Sequence, residues 1–241
     1  MNKNFKLILG VIYTICLVIL LIVLFRYFDF NNLSDYAFIQ ETSRDLIEYK
    51  NKNLLFFVIS FFIFSVLWVF FLGFASPVAL VAGFIFGKWY GTIISIFAFS
   101  LGSCLLYLFA KAYFYRFIEK YFSSKIIKYQ ELFNKNEFIY FMIFRLTGGA
   151  GMPFALQNIL PIIFNIKLKN YFFATLLGLT PAVFIITSFG TGIENMIDNN
   201  KSLNFFDIIA EPEIYYPIIG FFVILIFSYF IKQKLFKNTR L

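Results

Sequence analysis

The 241-residue chain is 61% hydrophobic and 23% aromatic, with only 14% charged residues and a mean hydropathy of +0.80. Soluble domains lie near one-quarter charged, so these values exclude a soluble globular class and point to an all-α polytopic membrane protein. The formal charge of +8 does not indicate nucleic acid, because Lys and Arg collect between and after the apolar segments, as cytoplasmic loops do.

In chain order, the first apolar run gives a span over Phe5–Phe28. Its basic start resembles a signal peptide, but the run is long enough to cross and no small-x-small cleavage site follows, so an uncleaved helix is expected. The loop Asp29–Asn53 holds five acids against three Lys or Arg. Apolar sequence continues from Leu54 to about Tyr115, broken around "GFASPVALVAGFIFGKWYG". A basic segment, Arg116–Glu137, has interspersed apolar residues and is expected to lie on the membrane surface. Apolar Phe138–Ile166 follows, then the basic turn "KLKN", a span from Tyr171 to about Phe189, an acidic loop over Gly190–Glu213, a last span Ile214–Ile231 and a basic tail.

The basic residues count the crossings. A cytoplasmic tail places Gly190–Glu213 outside and Lys167 and Lys169 inside, on the same side as Arg116–Glu137. Both ends of Phe138–Ile166 then share one face. Twenty-nine residues of helix reach only ~43 Å, against ~60 Å for two crossings. The segment is therefore expected to be a re-entrant hairpin turning at "TGGAGMP", where glycine and proline permit reversal. Leu54–Gly91 must likewise start and end on the outer face, with its breaker at "GFASP".

A repeat is implied. Sliding the chain by 76 positions sets "PVAL" on "PFAL" and "FAFSLG" on "FATLLG", matching Pro77/Pro153, Ala79/Ala155, Leu80/Leu156, Phe97/Phe173, Ala98/Ala174, Leu101/Leu177 and Gly102/Gly178. A hairpin plus one span is an odd number of crossings, so the copies are inverted, as in many transporters. The chain thus divides into residues 1–53 (first helix and outer loop), a core over 54–192, and 193–241 (outer loop, last helix, basic tail), with both termini cytoplasmic.

Arg145 is the sharpest candidate. A charge ~12 Å from the polar boundary costs several kcal/mol in hydrocarbon unless water or a partner meets it, and a guanidinium fork suits phosphate. Gly148 and Gly149 can present backbone N–H groups, and the arm beginning near Pro153 can present a helix N-terminus, to an anion. Gln157 and Asn158 can line a polar track or stitch helices together. The competing readings of Arg145 are snorkelling to the surface and capping of the carbonyl ends of the first hairpin. Pro77, Gly83, Gly87, Pro153 and Pro181 are expected hairpin breakers or kinks. Gly83, Gly87, Gly102 and Gly178 also suit close helix packing.

The chain has no His, which removes imidazole ligands and His-based catalysis. Cys16 and Cys104 lie in separate apolar segments and support neither disulfide nor metal site. "GAGMP" lacks the Lys-Ser/Thr of a nucleotide loop. Neither an enzyme nor any cofactor or metal is expected.

Pro77, Gly83, Phe86, Gly87 and Gly91 in "SPVALVAGFIFGKWYG" resemble the first signature of the DedA family (the SNARE-associated or VTT-domain membrane proteins). Phe144-Arg145, Pro153-Phe154, Asn158 and "FFATLLGLTPAVFIITSFGTG" are similar to its second half. The resemblance implies movement of lipids between leaflets, with phospholipid or polyprenyl phosphate as substrate and phosphate-bearing or anionic membrane lipids as partners. No Asp or Glu lies between Asn53 and Arg116, and the family's second arginine has no counterpart. The chain is in this closer to the Golgi TVP-type branch, without the acids that proton coupling uses. Alternatives are an ion-coupled small-solute transporter or a membrane scaffold, and a homo-oligomer stays open. Abundant Lys, Asn, Ile and Phe point to a bacterial cytoplasmic membrane.

Overall fold

The structure, a computed structural model, describes residues 3–27, 48–50, 52–72, 74–126, 130–198, 212, 214–220, 222–223 and 226. Most of the loop Asp29–Asn53, most of Gly190–Glu213 beyond residue 198, and the basic tail lie outside the described residues. Those described are helical, in the order α1 (Lys3–Tyr27), α2 (Leu54–Leu72), α3 (Ser76–Tyr113), α4 (Tyr115–Ile126), α5 (Gln130–Leu146), a 3-10 turn (Gly148–Gly151), α6 (Phe154–Ile159), a second 3-10 turn (Leu160–Phe164) and α7 (Leu168–Asp198). By length and composition, Leu54–Phe71, Ser76–Tyr113 and Leu168–Ile197 can cross a membrane. Their outward residues, among them Phe56, Ile63, Leu105 and Leu177, are exposed and apolar. Only helices with all backbone groups satisfied internally can present such a surface to hydrocarbon.

Helix α3 is not one rod. At Gly87 the backbone takes φ 76°, ψ 167°, a region open essentially to glycine alone. Beyond it the chain folds back, so that a Cβ on Gly91 would fall 2.6 Å from the Ala82 carbonyl oxygen. The first arm, Ser76–Phe86, also lies antiparallel to α2: the Phe86 ring sits 5.9 Å from Phe57 and 5.1 Å from Phe61. The chain therefore turns once between α2 and α3, at the "GFASP" stretch, and again at Gly87. Pro77 occupies the first turn of α3, where its missing N–H costs nothing; it starts a helix instead of breaking one.

The second segment is also bent back on itself. Glu137 accepts hydrogen bonds from the Lys167 backbone N–H at 3.2 Å and from Asn170 Nδ2 at 2.6 Å, which brings the two ends of Phe138–Ile166 together. Asn136 caps the helical arm through Oδ1, which accepts from Ile139 N–H at 3.0 Å. Gly148, Gly149 and Gly151, all at positive φ, form the tip. The return arm runs from Pro153 through α6 and the second 3-10 turn, and ends at left-handed Asn165. Two of the expected breakers or kinks lie inside helices: Gly83 within the first arm of α3 and Pro181 within α7.

The 76-residue repeat reappears in the contacts. A Cβ on Gly102 would meet Val66 O and the Val69 side chain; one on Gly178 would meet Met142 O and Arg145 Cβ, every position shifted by 76. The long helices run antiparallel, since Thr92 pairs with Thr187 (2.7 Å between hydroxyls) while the Tyr107 and Tyr171 rings lie 4.5 Å apart. Equivalent units on antiparallel helices are inverted with respect to each other. Small residues let the units cross closely: a Cβ on Gly83 would lie 1.9 Å from Thr187 O, and one on Gly190 2.1 Å from Leu80 O. Gly87 differs, since a Cβ there would meet none of the described residues within 4 Å; the glycine serves the turn.

Candidate functional site

The tip of the second hairpin and the start of α7 enclose Arg145. Helix α5 carries it inward, α6 brings Gln157 and Asn158 to one side, and α7 brings Tyr171 to the other. Arg145 is 1% exposed, so it does not snorkel. Arg145 Nη2 donates to Asn158 Oδ1 at 2.5 Å and to the Tyr171 hydroxyl at 3.0 Å, while Nη1 reaches Gln157 Oε1 only at 3.5 Å. The Tyr171 hydroxyl in turn donates to the Asn158 carbonyl at 3.1 Å. Three rings face the cation, with Phe141, Phe154 and Tyr171 centroids 4.9, 5.1 and 5.7 Å from its central carbon. Such faces attract a desolvated cation by up to ~2 kcal/mol each.

All of these partners are uncharged, and among the described residues Arg145 forms no ion pair. Two buried donors, Arg145 Nε and Asn158 Nδ2, find no hydrogen-bond partner among the described residues. A buried charge without an opposite charge is costly, and an unmet buried donor adds ~1–3 kcal/mol. The equivalent place in the first repeat holds Val69, Ala82 and Ser95, all buried. The fold packs that position without a cation, so its architecture does not require the arginine.

Arg145, Gln157 and Asn158, three polar candidates of the sequence, are thus brought together in one cluster. Gly148 and Gly149 enter differently. Their contacts run through carbonyls: Gly148 O accepts from Gln157 Nε2 at 3.2 Å and Gly149 O from Met152 N–H at 3.2 Å. Helix α6 has six residues before it tightens to 3-10 geometry, too short to offer the anion-binding helix terminus expected of it. The sequence assigns no site role to Tyr171, Phe141 or Phe154, although Phe154 stands in the family-like Pro153-Phe154 pair. With 15 Tyr and 38 Phe in the chain, no single aromatic stands out; only contact with Arg145 distinguishes these.

The apolar helices long enough to cross a membrane and the polar cluster sealed among them define an integral membrane protein. A family model for the VTT domain matches residues 73–192, from the turn before the first arm to the end of the close crossing on α7. The chain belongs to the VTT-domain family, the DedA or SNARE-associated membrane proteins. Over 163 residues it is 24% identical to "Transmembrane protein 41 homolog" of Caenorhabditis elegans, an alignment covering 65% of this chain and 65% of the relative. No solved structure matches.

Proposed function

We propose that the protein moves phosphate-bearing lipids, phospholipid or polyprenyl phosphate, between the leaflets of a bacterial cytoplasmic membrane, with both termini inside. The observation that carries this reading is the buried, unpaired Arg145, at a position where the first repeat packs Val69. A cation kept in an apolar core without a carboxylate is matched by an anion that comes and goes. A lipid phosphate supplies it while its acyl chains remain in the surrounding hydrocarbon. No reaction is required, only passage past the guanidinium.

The test is exchange of a fluorescent phospholipid across reconstituted vesicles. Arg145→Lys keeps the charge but loses the planar fork and is expected to slow exchange partially. Arg145→Met with Asn158→Leu fills the site with apolar atoms, as the first repeat does, and is expected to keep the fold while losing exchange by about tenfold or more, the worth of one charge-assisted contact at ~1.4 kcal/mol per decade. Unchanged rates in a folded double variant would remove the proposal.

A further inference from the structure

We infer that the Gln157 carboxamide occupies the phosphate position of this site and is displaced when an oxyanion binds. Gln157 is 7% exposed and lies between the guanidinium and the glycine tip. Its bonds are unequal. Nε2 is clipped to the tip by Met152 O at 2.7 Å and Gly148 O at 3.2 Å, whereas Oε1 stands 3.5 Å from Arg145 Nη1. It is held firmly to the tip and serves the cation poorly. The two orphaned donors beside it, Arg145 Nε and Asn158 Nδ2, lack the acceptor that a phosphate oxygen supplies and a single amide oxygen does not.

Gly149 is the counterpart of the latch. A Cβ there would fall 2.2 Å from Gln157 Cδ, so the latched rotamer exists only because residue 149 has no side chain. Its φ of 62° is one that asparagine tolerates. Gly149→Asn therefore preserves the turn and expels Gln157, whereas Gln157→Ala removes the latch itself. Two changes on opposite sides of one contact open the same door.

The inference rests on the lipid-moving reading for its substrate, but its test does not depend on transport. The full chain in detergent is treated with phenylglyoxal, and modification of Arg145 is followed by mass spectrometry. Wild type is expected to react slowly, as a sealed group does. Gln157→Ala and Gly149→Asn are each expected to raise the rate by about tenfold or more, and mixed micelles containing phosphatidic acid are expected to suppress the gain. Inorganic phosphate at equal concentration separates the sources: protection by the lipid alone assigns a headgroup, and protection by both assigns any phosphate oxyanion. Arg145 staying unreactive in both folded variants, or a gain that neither phosphate source suppresses, overturns the inference. If wild-type vesicles exchange no lipid while the variants still expose and protect Arg145, the latch stands and the transport reading falls.

Discussion

Glycine does two different jobs in this chain, and substitution separates them. At Gly83 the obstacle is the backbone of Thr187, 1.9 Å from a would-be Cβ, which no rotamer change can relieve. At Gly87 the surroundings are open within 4 Å but the backbone sits at φ 76°, ψ 167°. Gly83→Ala is expected to cost ~1–3 kcal/mol or more by overpacking, with Gly83→Val worse. At Gly87 the cost of ~1–3 kcal/mol comes from strain and should be nearly the same for Ala, Ser and Val. Thermal unfolding of purified protein checks this; a size-dependent loss at Gly87 would contradict the open geometry. Sequence reading grouped the two glycines as close-approach sites, because absence of a side chain looks the same whether space or φ demands it.

For the elements, what matters is how a short segment is held folded back. The second hairpin closes at its base through Glu137, whose carboxylate receives the Lys167 amide and Asn170. The same base is tied to α3, where the Tyr107 hydroxyl donates to Ile166 O at 2.9 Å and Lys111 bonds Asn165 Oδ1. Glu137→Ala removes one of these fastenings and leaves the other. It is expected to speed hydrogen exchange at the Lys167 amide roughly tenfold, the loss of about one charge-assisted bond, with little change in α2 or α3. Exchange rising equally throughout would show the contact to be part of the global fold. The first arm has an analogous fastening, as Lys50 Nζ donates to Ile85 O at 2.8 Å and satisfies a carbonyl at the arm's end. That both segments fold back was readable from charge and length; that side chains from distant helices hold their ends was not.

Across the whole molecule, the inverted repeat places the two hairpin bases at opposite ends of the antiparallel α3–α7 pair. If the apolar belt is the bilayer, Lys135 and Lys169 face one side and Trp89, next to the Gly87 turn, faces the other. Single cysteines at these positions, with Cys16 and Cys104 replaced, are expected to react with an impermeant maleimide from one side for 135 and 169 and from the opposite side for 89. Labelling of 135 and 169 from different sides would mean that Phe138–Ile166 crosses the membrane, and the arrangement of hairpins within it would have to be abandoned.

Composition alone decided the solvent: a chain 61% hydrophobic and 14% charged has too little polar surface to fold in water. Charge placement and segment length marked the two stretches where the chain folds back on itself, since those costs are local and additive along the chain. Arg145, Gln157 and Asn158 stood out because polar groups in apolar sequence are individually expensive. What only the tertiary structure decided is their state. Arg145 is sealed by rings from three helices and shut in by an amide, and Val69 fills the same place in the other repeat. Burial and pairing belong to several segments meeting at once, and no single stretch of sequence contains them.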